Sequence, residues 1–149
     1  MTMEQTDGRV SQATVRRRVR FYETDAAGIV HFSVFFRFME EAECELWRSA
    51  GLRNAPTRDV SFPRVAASFD FRKPLRFDDE FEVRIQIAEM RTKAIRYACE
   101  LTMAGEVAAT GSMTIVCATA IPGQPPKAIP IPAAIAARFE VAASTGSRP

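Results

Sequence analysis

SVFFRFMEEAECELWRSAG, residues 33–51, is the stretch in which apolar side chains return every three or four positions: Phe35, Phe38, Met39, Ala42, Leu46 and Trp47. That spacing gathers them on one face of an α-helix, whereas a strand alternates its faces with a period of two. Ser33 is a residue type that caps helix starts and Gly51 one that ends them, so a helix from Ser33 to about Ala50 is predicted.

Working outward, the period falls to two on both sides. In TVRRRVRFY (14–22), Val15, Val19 and Phe21 alternate with Arg16, Arg18, Arg20 and Tyr22, the pattern of a strand with one wet face. After the loop GLRNAPTRDVS (51–61) come FPRVAASFDFR (62–72), EFEVRIQIAEM (80–90) and AIRYACELTM (94–103). A tight turn at Ala104-Gly105-Glu106 leads into a mostly buried strand, EVAATGSMTIVCAT (106–119), and IPGQPPKAIPIPAAIAARFE (121–140) is proline-rich, then briefly helical. Short turns between successive strands force antiparallel pairing, and one amphipathic helix covers one sheet face. The expected fold class is α+β, a long central helix wrapped by a five- to six-stranded antiparallel sheet. Residues 14–141 form the single domain, between disordered tails at 1–13 and 142–149. The outer sheet face then needs charged side chains or a partner subunit.

A chain of 149 residues with 47% apolar and 26% charged residues is long enough for one domain with a substantial core. A net charge of +2 does not fit the strongly cationic class that coats nucleic acid, and the alternation around Arg16 to Arg20 suits a wet sheet face, so no nucleic-acid partner is expected. No apolar run is long enough to span a membrane and residues 1–14 lack the apolar core of a signal peptide, so a cytoplasmic location without membrane attachment is expected. Cys44, Cys99 and Cys117 show no paired zinc spacing; they read as small core hydrophobes, and no metal is expected.

ETDAAGIVHFSVFFRFMEEAECELWRSAG (23–51) resembles the signature of the 4-hydroxybenzoyl-CoA thioesterase family of the hotdog fold, in which Asp-x-x-Gly-hydrophobic-Val leads into the central helix. FDFRKPLRFDDEFEV (69–83) is similar to the family's strand-turn-strand passage. GSMTIVCAT (111–119), with the later IPIPAAI (129–135), is similar to its last strand and tail. The resemblance covers roughly residues 14 to 140. It implies a hotdog fold that dimerises through its sheets and commonly assembles to a homotetramer. It also implies hydrolysis of acyl-CoA thioesters in clefts between subunits, with coenzyme A as part of the substrate and no separate cofactor. Acyl carrier protein is an alternative bearer of the thioester.

A thioester needs an attacking group, a stabiliser for the oxyanion and a pocket that excludes bulk water. Asp25 offers a carboxylate just before the helix, able to attack the carbonyl or to take a proton from an attacking water. Its structural alternative is a turn cap. Gly28 lets the loop fold back, and the free amides at the helix start, which the resemblance places chiefly at Phe32, aim their positive dipole at the developing oxyanion. His31 is the chain's only histidine, a residue type suited to general-base work. It stands one position from the family's usual histidine, so a base, a polar contact to substrate or a loop carbonyl, and a purely structural role all stay open. Phe32, Val34 and Phe35 replace polar residues of many relatives, pointing to an apolar acyl pocket for an aromatic or short to medium aliphatic group. For Phe35 the alternative is the helix core. Arg91 and Lys93, in the turn of EMRTKAIRY, are expected to meet the nucleotide phosphates, or else to be solvated turn residues. Glu40, Glu41, Glu43 and Glu45 read as paired or exposed. A hotdog hydratase and a non-catalytic dimer binding acyl thioesters or acyl carrier protein are the competing classes.

Overall fold

The computed structural model describes residues 8–52 and 59–143. Strand β1 (Gln12–Arg18) leads through one 3-10 turn (Phe21–Glu23) and a tight hairpin into helix α1 (Val34–Ser49). Then follow β2 (Val60–Ser61), β3 (Arg64–Phe71), β4 (Glu80–Met90), β5 (Ala94–Met103), β6 (Glu106–Val116), β7 (Ala118–Thr119) and a short helix α2 (Ala133–Ala136). Five strands form one antiparallel sheet in the order β1-β4-β5-β6-β3, and β2 pairs with β7 in a separate ribbon. One long helix against one curled antiparallel sheet is the α+β hotdog arrangement expected from the sequence. No helix among the described residues is long and apolar enough to cross a membrane.

The period-2 pattern does the sorting. Val83, Ile85 and Ile87 of β4 stand opposite Leu101, Cys99 and Tyr97 of β5, all buried, and α1 lays Phe35, Phe38, Met39, Ala42, Leu46 and Trp47 over the same sheet face. Each large apolar side chain so covered stabilises the fold by about 1.5 to 3 kcal/mol, far more than the intrinsic helix preference of any residue in α1. The next residues along the strands, Glu82, Arg84 and Gln86, face outward and pair with Arg16, Glu100 and Gln12.

Three details depart from the sequence reading. β1 begins at Gln12 and ends at Arg18, short of Tyr22; Phe21 and Tyr22 leave the ladder for the 3-10 turn and are exposed. Within β1, Ala13, Val15 and Arg17 share the helix-facing side, so Arg17 is not on the wet face. Its side chain is only 8% exposed, paired with Glu23 at 2.9 Å and Glu41 at 3.4 Å, with the guanidinium 4.8 Å from the Phe38 ring centre. The strand expected to run to Thr119 breaks at Cys117, whose N–H donates to the Lys93 carbonyl. Of the expected tails, 1–7 and 144–149 lie outside the described residues, as do 53–58 of the loop after α1. The adjoining segments are tied down: Val10 N–H donates to the Arg138 carbonyl at 2.9 Å and Ala142 N–H to the Ile87 carbonyl at 2.8 Å.

A polar network threads the core. The Trp47 indole donates to the Tyr97 hydroxyl at 2.9 Å, that hydroxyl donates to Glu43 Oε2 at 2.7 Å, and Arg64 of the edge strand β3 pairs with Glu43 Oε1. From its sequence Glu43 is expected to be paired or exposed; it is paired and fully buried. Every polar atom of the Tyr97–Trp47–Glu43 contact is satisfied, so deleting one partner leaves the others buried and unpartnered. Tyr97→Phe should therefore lower unfolding free energy by about 1 to 3 kcal/mol, read from denaturant midpoints; a loss below about 0.5 kcal/mol would show the network to be dispensable.

Burial pushes the Glu43 carboxyl above the ordinary glutamate range, against the opposing pull of the Arg64 charge and the Tyr97 hydrogen bond. A carboxyl that holds its proton more tightly when folded favours folding below its unfolded pKa, and that contribution is lost as pH rises through the folded value. The stability of the wild type relative to Glu43→Gln should accordingly fall as pH is raised from about 4 toward neutrality. Denaturant midpoints of both proteins across that range check the sign, and a constant or growing difference contradicts it.

Candidate active site

Residues 23–31 form a tight hairpin whose geometry follows from two residues. Gly28 adopts φ +82°, a left-handed conformation that a side chain disfavours, and so closes the turn. Asp25 stitches that turn from both ends: its N–H donates to the Ile29 carbonyl at 2.8 Å, its carbonyl accepts the Gly28 N–H at 2.9 Å, and its Oδ1 accepts the Ala27 N–H at 2.8 Å. The carboxylate thus makes the turn contact anticipated as its structural alternative, through one oxygen. Oδ2 has no hydrogen-bond partner among the described residues.

The hairpin is docked on the domain by its flanks. Val30 N–H donates to the Leu75 carbonyl at 2.8 Å, Ile29 bridges Arg76, and His31 N–H donates to the Glu23 carbonyl at 3.0 Å. Buried Glu23 holds the near side: Oε1 accepts the Arg20 N–H at 2.8 Å and Oε2 the Arg17 guanidinium at 2.9 Å. Neither Glu23 nor Arg17 was singled out from sequence; the available signal was Arg17 at the same strand parity as Val15.

At the start of α1 the cap is His31 and not Ser33. The Ser33 side chain caps nothing; His31 Nδ1 accepts the Ser33 N–H at 3.2 Å, lies 2.7 Å from Ser33 Oγ, and the His31 carbonyl accepts the Val34 N–H at 2.9 Å. With Nδ1 engaged as an acceptor, only Nε2 of the ring is free for other work. The Phe32 N–H makes no hydrogen bond among the described residues, so the helix start presents one free amide directly after the Asp25 hairpin. The Phe32 ring is exposed and stacks on the His31 ring at 4.7 Å.

The remaining expected residues are placed less uniformly. Phe35 is buried, in an aromatic cluster with Phe38, Phe69 and Phe71, whose ring centres lie 4.9 to 5.8 Å from its own. Half-exposed Phe71, not Phe35, presents that cluster to solvent. Gly111 permits the arrangement: a Cβ there would meet the Phe69 ring at 2.6 Å. Arg91 and Lys93 are exposed in the β4–β5 turn, where Arg91 pairs with Glu89 at 2.8 Å and lines, with Arg96, Ala94 and Thr114, a cavity of about 190 Å³. The strand register sets Arg18 opposite Glu80 and the Asp25 hairpin is bound to Leu75 and Arg76, at the far end of β4 from this turn. Eleven residues of strand span about 30 Å or more, so a single protomer does not bring Arg91 or Lys93 to Asp25.

No cysteine competes as nucleophile. Burial pushes the Cys99 thiol up to about 12 and also raises Cys44 and Cys117, so none carries an appreciable thiolate near neutral pH.

The chain is similar along much of its length to several known proteins. A protein of Aquifex aeolicus (strain VF5) is 48% identical over 77 residues, half of this chain, and the matched part spans only 60% of that protein. A 1,4-dihydroxy-2-naphthoyl-CoA hydrolase of Nostoc punctiforme is 33% identical over 107 residues, covering 70% of this chain and 72% of the relative. The solved structure of a gentisyl-coenzyme A thioesterase superposes with a TM-score of 0.72 at 30% identity, over 83% of this chain and 98% of that one. A 4-hydroxybenzoyl-CoA thioesterase, from the family the sequence resembled, shares the fold at a TM-score of 0.75 but only 22% identity, over 87% and 99% of the two chains. The level of kinship shown is therefore broader than that family. A model of the thioesterase-like superfamily matches residues 19–139, and to that superfamily this chain belongs.

Proposed function

We propose that the protein hydrolyses aromatic acyl-CoA thioesters to the free acid and coenzyme A. The observation that carries this reading is the Asp25 carboxylate held in a rigid hairpin directly before the one free amide of the α1 start. Water supplies the new carboxyl oxygen, the carbon–sulfur bond breaks, and the departing thiolate of coenzyme A takes a proton. Asp25 acts either as the nucleophile, through a mixed anhydride that water then opens, or as the base that draws a proton from the attacking water. The Phe32 N–H stabilises the oxyanion without reorganising, aided by the positive end of α1. The reaction requires no cofactor beyond the coenzyme A of the substrate.

Aromatic substrates are favoured by the half-exposed Phe71 ring, which presents the Phe35–Phe69–Phe71 cluster to solvent, and by relatives named for dihydroxynaphthoyl and gentisyl thioesters. A hydratase is disfavoured because the only histidine spends Nδ1 on the helix cap. The separation of the β4–β5 turn from Asp25, with the open edge of β3, supports a homodimer or homotetramer in which one protomer supplies the phosphate-binding arginine and lysine and another the hairpin.

Asp25→Asn keeps the shape and removes the charge, so kcat should fall by about 100-fold or more with fold and assembly intact, while His31→Gln should cost on the order of 10-fold at most. Steady-state kinetics of both variants decide the matter: a dead His31→Gln enzyme beside an active Asp25→Asn would transfer the role to the histidine. Converting Arg91 and Lys93 together to alanine should act mainly on KM, with an effect that shrinks in high salt, since exposed charges are screened over about 8 to 10 Å. An unchanged KM for every acyl-CoA tested would move the phosphates elsewhere.

A further inference from the structure

The ion pair of Arg17 with Glu23 is buried, the two side chains being 8% and 10% exposed. The guanidinium gives Nη2 to Glu23 and Nε to Glu41, while its Nη1, also buried, has no hydrogen-bond partner among the described residues. Apolar side chains of similar volume commonly give a fold as stable as a buried ion pair does, or more so, and stability alone does not account for this arrangement.

Its directional contacts do. Glu23 closes the 3-10 turn onto Arg20 from both sides: its N–H donates to the Arg20 carbonyl at 2.9 Å, and its Oε1 accepts the Arg20 N–H at 2.8 Å. Its carbonyl accepts the His31 N–H at 3.0 Å across the hairpin. Asp25 stands two residues beyond Glu23, and the free Phe32 amide one residue beyond His31. The separation of carboxylate and amide is therefore set across the Glu23–His31 hydrogen bond. Arg17 fixes the Glu23 end of that bond to β1 and, through Glu41 and the Phe38 ring, to α1.

Resting on the thioesterase reading above, we infer that Glu23 and Arg17 are positioning residues for the reaction, a pair that holds the Asp25 carboxylate in register with the Phe32 amide. The pair acts on kcat and not on substrate affinity, because it orders two groups of the protein relative to each other. A misplacement of about 1 Å between such groups is enough to cost on the order of 100-fold in rate. A lysine at position 17 does not serve in its place, since a single ammonium cannot meet two carboxylates in the planar fork that also covers the Phe38 ring.

The test separates placement from stability in the full-length protein. Arg17→Met combined with Glu23→Leu replaces the pair by apolar side chains, so the denaturant midpoint should stay close to that of the wild type. With an aromatic acyl-CoA, kcat of this variant should nevertheless fall about 100-fold, with KM little changed. Arg17→Met combined with Glu23→Gln returns an acceptor to the Arg20 amide and should recover about 10-fold of that loss. Tyr97→Phe, which weakens the fold through a later turn of α1, should keep the wild-type kcat. Should the apolar variant not fold, Arg17→Lys decides: kcat is expected about 10-fold down at a nearly unchanged midpoint. Wild-type kcat in the apolar variant or in Arg17→Lys, or a kcat that follows the midpoint through the whole series, overturns the assignment and leaves thioester hydrolysis by Asp25 standing. Full activity of Asp25→Asn, or no release of coenzyme A by the wild type, defeats the parent reading and this one with it.

Discussion

The Glu23 side chain and backbone hold together everything the candidate site requires. Its carboxylate accepts from the Arg20 amide and the Arg17 guanidinium, and its carbonyl accepts the His31 amide on the other side of the hairpin. One residue thereby closes the loop that carries Asp25 and fixes where α1 begins. Because Arg17 and Glu23 are both buried, the pair is strong only while complete, and breaking such a pair by removing one member costs on the order of 3 to 5 kcal/mol. Arg17 also covers the Phe38 ring and reaches Glu41, so the same guanidinium ties β1, the hairpin and α1 into one body. A reaction that needs a carboxylate and an amide in one place depends on this rigidity more than on any single site residue.

A division of labour runs along α1. Its first turn supplies the free amide and, with β3, the aromatic cluster; its later turns supply the buried Glu43–Tyr97–Trp47 network that pins it to β5. Arg64 joins β3 to α1, since it sits on that edge strand and pairs with Glu43. The edge of β3 that faces away from β6 is unpaired among the described residues, and a strand in that condition invites a neighbour. An assembly built there would add surface beside half-exposed Phe71.

Much of this was legible in the sequence, for identifiable reasons. β4 and β5 coincide with the alternating stretches 80–90 and 94–103 because central strands with one wet face carry the cleanest period-2 signal. α1 was legible from its broad stripe, and Gly28 from the need for a left-handed turn. The errors lie where side-chain type misleads. Arginine is normally read as exposed, and only the ladder register reveals that Arg17 shares the inner face of Ala13 and Val15. Ser33 looks like a cap, yet the His31 ring folds back and takes the bond first. Phe69, Phe71 and Gly111 are separated by the whole of β4 and β5, so their meeting with Phe35 is a product of topology that no local pattern contains.

The central claim is that the hairpin and the helix start together cleave a thioester. Its most direct test is the stoichiometric assay of purified protein with an aromatic acyl-CoA, following free thiol and free acid side by side. Hydrolysis predicts that both appear in equal amounts over many turnovers, at a rate within the ordinary enzymatic range of roughly 1 to 1000 per second. Saturable binding of the acyl-CoA with no thiol released, or consumption of the thioester without release of the acid, would contradict it.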